Sequence, residues 1–187
     1  MSVIQAIKAR RSTPKLRPDP LPRETLEQML EAAVWAPNHR LTEPWRFYVI
    51  TSEDAKRQFA GIRRRLRASA FPNPDAPEAQ KALDRISQDT MATPALIVVT
   101  VHQAVDEEQR EEDVAATFMA IENLMLAGVE LSVGTYMRTG PIMRDPDLRA
   151  LLALEDDRRI VAIIYAGHTS DIPQKRRTPA AEKTVWL

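Results

Sequence analysis

From Glu107 to about Glu130 the chain carries an acidic first turn followed by Ala115, Phe118, Met119, Ile121, Leu124, Met125 and Leu126, apolar almost all the way round a helix. The acidic turn suits the positive end of a helix macrodipole. A helix that is apolar on most faces has to be buried on most faces. In a chain of 187 residues that leaves two placements, a central helix or a subunit interface. The length suffices for one sizeable core, and no break in composition divides it. A single domain over 1–187 is expected.

Around that helix the pattern alternates. Residues 3–11 read as a short helix with Val3, Ile4 and Ile7 on one face, ended by Pro14. Pro22 sits at a favoured first-turn position of a second helix, in which Leu26, Met29, Leu30 and Ala33 follow the spacing of a core-facing stripe. Trp45–Thr51 is aromatic and β-branched, the signature of a strand, and a helix follows over about 52–68. Pro72, Pro74 and Pro77 make 71–78 a loop. Ala95–Val101 is an uninterrupted apolar run of strand length, as expected of a strand covered on both faces. Val133–Met137 and Ile160–Ala166 are further strands, separated by a short helix around Pro146–Leu154. The tail from His168 is polar and basic yet closes on Val185, Trp186 and Leu187, apolar residues that need a surface to pack on.

Composition excludes several function classes. With 44% hydrophobic and 28% charged residues the chain is an ordinary globular one. There is no cysteine, which removes disulfides, thiolate nucleophiles and thiolate-held metals. Three scattered histidines point away from a metal site. No apolar run is long enough to cross a bilayer, and the opening residues lack a signal peptide's apolar core, so a cytoplasmic protein without membrane contact is expected. The formal net charge is zero, so no global field draws the chain to nucleic acid, and any anion site must be local.

Four segments concentrate chemistry. Arg10, Arg11 and Ser12 close the first helix. Two guanidiniums and a hydroxyl suit a phosphate monoester, because arginine donates in a planar fork. Arginines at a helix C-terminus also simply complement its dipole, and the spacing alone leaves both readings open. Residues 36–47, Ala-Pro-Asn-His-Arg-Leu-Thr-Glu-Pro-Trp-Arg-Phe, crowd polar side chains between a helix and a strand, where binding residues collect, although a structural corner built on Trp45 has the same pattern. Gly134–Gly140 is a strand end that offers backbone groups to a flat ligand or makes an ordinary turn. Lys175–Arg177 has the composition of a solvated basic tail. The run Arg63-Arg64-Arg65-Leu66-Arg67 spreads its cations around a helix axis, the pattern of a solvated face.

Taken in order, these segments resemble the nitroreductase family, in particular its compact bacterial members. The resemblance covers nearly the whole chain, from Arg-Arg-Ser through Pro-Trp-Arg-Phe and Gly-Thr-Tyr-Met-Arg-Thr to the Lys-Arg-Arg-Thr-Pro tail. It implies an α+β fold, with a mainly antiparallel central sheet flanked by helices in an intertwined homodimer, and one FMN at each of two sites in the interface. It also implies roles. Arg10, Arg11 and Ser12 would grip the FMN phosphate and ribityl chain together with Lys175 and Arg177. Trp35 and His39 would reach across the interface. Met137, Arg138 and Thr139 would lie along the isoalloxazine ring. The helix from Glu107 would form the dimer core, 71–78 a variable lid, and 168–187 a tail on the partner subunit.

The function so implied is a ping-pong oxidoreductase that passes reducing equivalents from NAD(P)H through FMN to a small acceptor such as a nitroaromatic or a quinone. The chemistry belongs to the flavin, so no residue of the chain is assigned a catalytic acid or base role. Alternatives are a flavin-binding sensor, a dehalogenating or flavin-fragmenting relative, and a helical nucleic-acid binder. Two positions depart from the usual pattern. Leu41 offers no polar contact to the pyrimidine edge, and a carboxylate at Glu43 would oppose negative charge on a reduced flavin unless it is protonated or turned away, bonded to a backbone amide or paired with Arg40 or Arg46.

Overall fold

A computed structural model describes all 187 residues. Ten regular elements follow one another as α1 (Val3–Ala9), α2 (Arg23–Val34), β1 (Trp45–Ile50), α3 (Glu53–Ala68), α4 (Pro77–Met91), β2 (Ala95–His102), α5 (Glu107–Glu130), β3 (Gly134–Arg138), α6 (Pro146–Leu151) and β4 (Arg158–Gly167). The strands form one sheet in the order β1-β2-β4-β3, and every neighbouring pair is antiparallel.

Strand periodicity divides the core into two halves. Ile97, Val99 and Val101 of β2, with Ala162 and Ile164 of β4, meet Met29 and Ala33 of α2 and Ala120, Ile121 and Leu124 of α5 on one face. Leu96 and Val98, with Ile163 and Tyr165, meet Phe59 and Ile62 of α3 and Leu148 of α6 on the other. This two-sided burial is why β2 is apolar at consecutive positions. Each such side chain contributes about 1.5–3 kcal/mol when fully buried. A register shift at Val99/Thr100 inserts an extra residue in β4, so that Val161 and Ala162 both belong to the α2/α5 side.

The structure adds one element and corrects three boundaries. The Pro-rich loop ends earlier than expected, because Pro77 opens α4, where its missing N–H costs nothing. α4 buries only Ala79, Leu83 and Thr90, too few apolar positions to announce a helix in the sequence. It is held against α3 by polar contacts. Lys56 Nζ donates to the carbonyls of Met91 and Thr93 at 3.2 and 3.3 Å, and Arg64 donates to Asp84 and Gln80. α1 stops at Ala9 because Arg10 takes an extended conformation. Pro22 precedes α2 rather than occupying its first turn. No helix is long and apolar enough to cross a membrane.

Candidate functional site

The turn out of α1 creates the first half of the site. A Ser2–Gln5 capping box starts the helix, and the chain leaves it at Arg10 to run beside β3. There Ser12 pairs in parallel with Thr135, while the Thr13 amide and hydroxyl both donate to the Thr135 carbonyl, at 2.9 and 3.1 Å. The approach is close enough that a Cβ on Gly134 would stand 2.6 Å from Thr13 Oγ1 and from Thr169 Cγ2, so only glycine fits.

This anchoring places Arg10 and Arg11 on a cavity of about 500 Å³ that is also lined by Lys8, Lys175, Arg177 and Glu122. Five cations thus face one carboxylate in a molecule whose net charge is zero. Arg10 Nε donates to Glu122 Oε1 at 2.9 Å, which fixes the guanidinium and leaves its two terminal nitrogens for a ligand. Arg11 folds back to donate to the carbonyls of Lys8 and Arg10, so it also complements the helix end, and its Nε is buried without a partner. Lys175 and Arg177 form no ion pair. The helix-end reading of the Arg-Arg-Ser segment is therefore seen directly, and the cavity's charge suits an oxyanion.

The second segment forms a strained, pinned loop elsewhere on the chain. Arg40, Leu41 and Glu43 all have positive φ. Such a conformation persists only where neighbours over-determine it. The Glu43 amide donates to Asn38 Oδ1 at 2.9 Å, and Thr42 Oγ1 donates at 2.6 Å to Asp113, a buried residue of α5 whose second carboxylate oxygen has no partner. Trp35 is 78% exposed, and its indole donates to Glu31. His39 Nδ1 lies 2.7 Å from Glu112 Oε2. Neither Trp35 nor His39 lines the cationic cavity of its own chain. The Glu43 carboxylate has no partner, since Arg46 pairs with Glu155 and Arg40 with nothing, so neither ion pair envisaged for it forms.

The third segment ends β3 at the wall of a second cleft, of about 490 Å³. Met137 is part-exposed, and Arg138, Thr139 and Gly140 line the opening. Gly140 has φ +137°, a conformation that side chains rarely adopt. Facing them from α3 is Arg63, and here the solvated-face reading of the arginine run holds for the exposed Arg65 and Arg67 but not for the part-buried Arg63 and Arg64. Arg63 donates to Thr90 and lies over the Tyr165 ring, Arg64 binds α4, Arg65 binds Asp145 and Asp147, and Arg67 lies over Phe71. Burial lowers the Arg63 pKa from its usual value; Tyr165 and Asp89 oppose that shift, and Arg138 adds to it. Burial raises the Tyr165 phenol, with Arg63 and Arg138 opposing.

The structure thus joins Arg10, Arg11, Lys175 and Arg177 in one cavity and puts Arg138 and Thr139 on another, with Ser12 on the strip that leads along β3. Sequence reasoning missed Glu122, Asp113 and Arg63. Glu122 left one trace, as a lone carboxylate within the apolar stretch of α5.

Comparison with known proteins is consistent with this geometry. The nitroreductase family model matches residues 7–168. YfhC of Bacillus subtilis (strain 168), a protein named for NAD(P)H nitroreductase activity, is 32% identical over 179 residues, covering 95% of this chain and 90% of its own. A nitroreductase-like family protein from Bacillus cereus superposes with a TM-score of 0.84 at 30% identity, over 100% of this chain and 96% of its own. A Desulfovibrio desulfuricans protein solved in complex with FMN superposes with a TM-score of 0.76 at 26% identity, over 100% and 97%.

Proposed function

Because this chain belongs to the nitroreductase family, we propose that it is a homodimeric FMN-dependent oxidoreductase that uses NAD(P)H to reduce small electron-poor acceptors such as nitroaromatics or quinones. The observation that carries this reading is the cationic cavity behind Arg10, with five positive side chains and one carboxylate.

These residues fit the cofactor. A phosphate monoester carries close to two negative charges, and Arg10, Arg11, Lys175 and Arg177 would hold it, Glu122 keeping the Arg10 fork turned toward the ligand. Ser12 and Thr13, fixed on Thr135, lead from that cavity along the edge of β3, and Met137, Arg138 and Thr139 would border the ring. When bound, FMN supplies the two-electron chemistry between NAD(P)H and the acceptor. The chain supplies position and charge. Arg138 places a cation beside the ring site, and Gly140 turns the backbone out of the acceptor's way.

One chain leaves the second loop unused, with Trp35 and His39 exposed and away from the cavity. Val3, Ile4 and Ile7 of α1 and Phe118 and Met119 of α5 are also exposed, on elements that pack together. A second copy that covers these faces would bring Trp35 and His39 to the partner's flavin, and Val185–Leu187 would find their packing surface there. The segment 71–78 leaves α3 just beyond Ala70, which lines the acceptor cleft, and would act as its variable lid.

The test is spectroscopic. Purified protein should carry flavin absorption that NAD(P)H bleaches anaerobically and a nitroaromatic or quinone restores. Colourless protein that takes up no added FMN would refute the reading, and bound flavin that NAD(P)H never bleaches would leave a flavin-binding sensor.

A further inference from the structure

Beyond the flavin residues, the cleft of about 490 Å³ between α3, α4 and the end of β3 has an uncommon charge pattern. Arg63, Arg67 and Arg138 line it, and none of the three belongs to any ion pair of the chain. The carboxylate that shares the cleft, Asp89, pairs instead with Arg85 at 3.9 Å. Arg63 and Arg138 converge on one aromatic ring, their guanidinium carbons 5.6 and 5.7 Å from the Tyr165 centroid. Tyr165 is buried and Arg63 part-buried beside it, while Arg138 closes on the same ring from the exposed rim, so one of two like charges sits where water reaches poorly. Such an arrangement is costly until an anion bridges the cations. The lining also carries an apolar share, made by Leu66, Ile86, Pro141 and Ile142. The volume lies within the range of sites for small organic ligands.

We propose that this cleft selects acceptors that are aromatic carboxylates, with Arg63 and Arg138 gripping the carboxylate and the apolar lining taking the ring. The proposal rests on the oxidoreductase reading above for the word acceptor, but not for binding. A planar fork presented to a carboxylate gives the charged ligand its advantage, and the apolar lining explains why a bare inorganic anion would bind less well than benzoate. Arg138 also borders the flavin site, which would bring a carboxylate-anchored ring into the flavin's neighbourhood. Arg63 also lines the adjoining cavity with Lys15 and Tyr136, but unlike Arg138 it is given no part in holding the flavin, so its substitution is the discriminating one.

The experiment is calorimetric titration of the protein as purified with benzoate and with its neutral analogue benzamide, in wild type, Arg63→Gln and Arg63→Lys. Charge-assisted hydrogen bonds of this kind predict benzoate binding roughly tenfold or more tighter than benzamide, and loss of most of that preference in Arg63→Gln. FMN content without benzoate should match wild type, and the thermal midpoint should fall only slightly, since the variant gives up the Arg63–Thr90 hydrogen bond between α3 and α4 but no ion pair. Arg63→Lys, which keeps the charge, should retain more of the preference than Arg63→Gln, and it decides the matter if the glutamine variant does not fold. Equal binding of benzoate and benzamide by wild type would overturn the proposal. So would a preference that survives Arg63→Gln, or loss of FMN from that variant with benzoate binding intact, which would assign Arg63 to the cofactor. Turnover of the neutral acceptor 1,4-benzoquinone by wild type separates the two claims: its absence would sink the oxidoreductase reading and leave the calorimetric result to stand on its own.

Discussion

Arg10 holds two relationships at once, through Nε to Glu122 on α5 and through its terminal nitrogens to the cavity that Lys175 and Arg177 complete. If that cavity holds the FMN phosphate, Arg10→Ala should weaken FMN about tenfold to a hundredfold, from the loss of charged hydrogen bonds of about 1.5–3 kcal/mol each. Riboflavin, which lacks the phosphate, should be affected far less. Fluorescence titration of apoprotein with both flavins checks this, and equal losses would make Arg10 a structural partner of Glu122. The Arg-Arg-Ser segment stands out in the sequence because guanidiniums suit a phosphate. Glu122 does not, because a carboxylate 112 residues away meets Arg10 only once α1 has packed on α5. Arg63 was misread for a related reason: four cations spread around a helix look solvated unless a second helix covers one side.

The elements best legible in the sequence were those whose burial is complete. α5 spans Glu107–Glu130 as its apolar pattern indicated, and β2 extends the apolar run by one residue. α4 escaped because it is held to α3 by hydrogen bonds and ion pairs more than by an apolar stripe, and periodicity reports only the stripe. The link between α3 and α6 is also polar. Asp145 side-chain oxygens accept from Arg65 at 2.9 and 2.8 Å and from the Asp147 amide at 3.0 Å, so one buried carboxylate caps α6 and ties it to α3. Asp145→Ala removes both the cap and the pair and should cost about 2–4 kcal/mol of stability. Denaturant unfolding would show this as a lower midpoint with an unchanged slope. A loss under about 0.5 kcal/mol, the usual range of surface substitutions, would mean that α6 is held by Leu148 packing alone.

Across the molecule the charges sum to zero but are segregated, positive around the Arg10 cavity and the Arg63 cleft and acidic at the start of α5. The exposed apolar groups are segregated too, on α1, on α5, at Trp35 and at the C-terminal Val185–Leu187. Patterning gave alternating helices and strands, and the antiparallel α+β architecture came with the family resemblance. The assembly was legible only as surplus apolar surface on a long helix, because a partner's residues leave no spacing signature in one chain. In the proposed dimer, flavin is held by Arg10 and Arg11 of one chain and covered by Trp35 and His39 of the other. Size-exclusion chromatography with light scattering and simultaneous flavin absorption tests that directly at micromolar protein. The predicted result is one peak at twice the chain mass, carrying close to one FMN per chain. A peak at the mass of a single chain that retains its FMN would contradict the shared site.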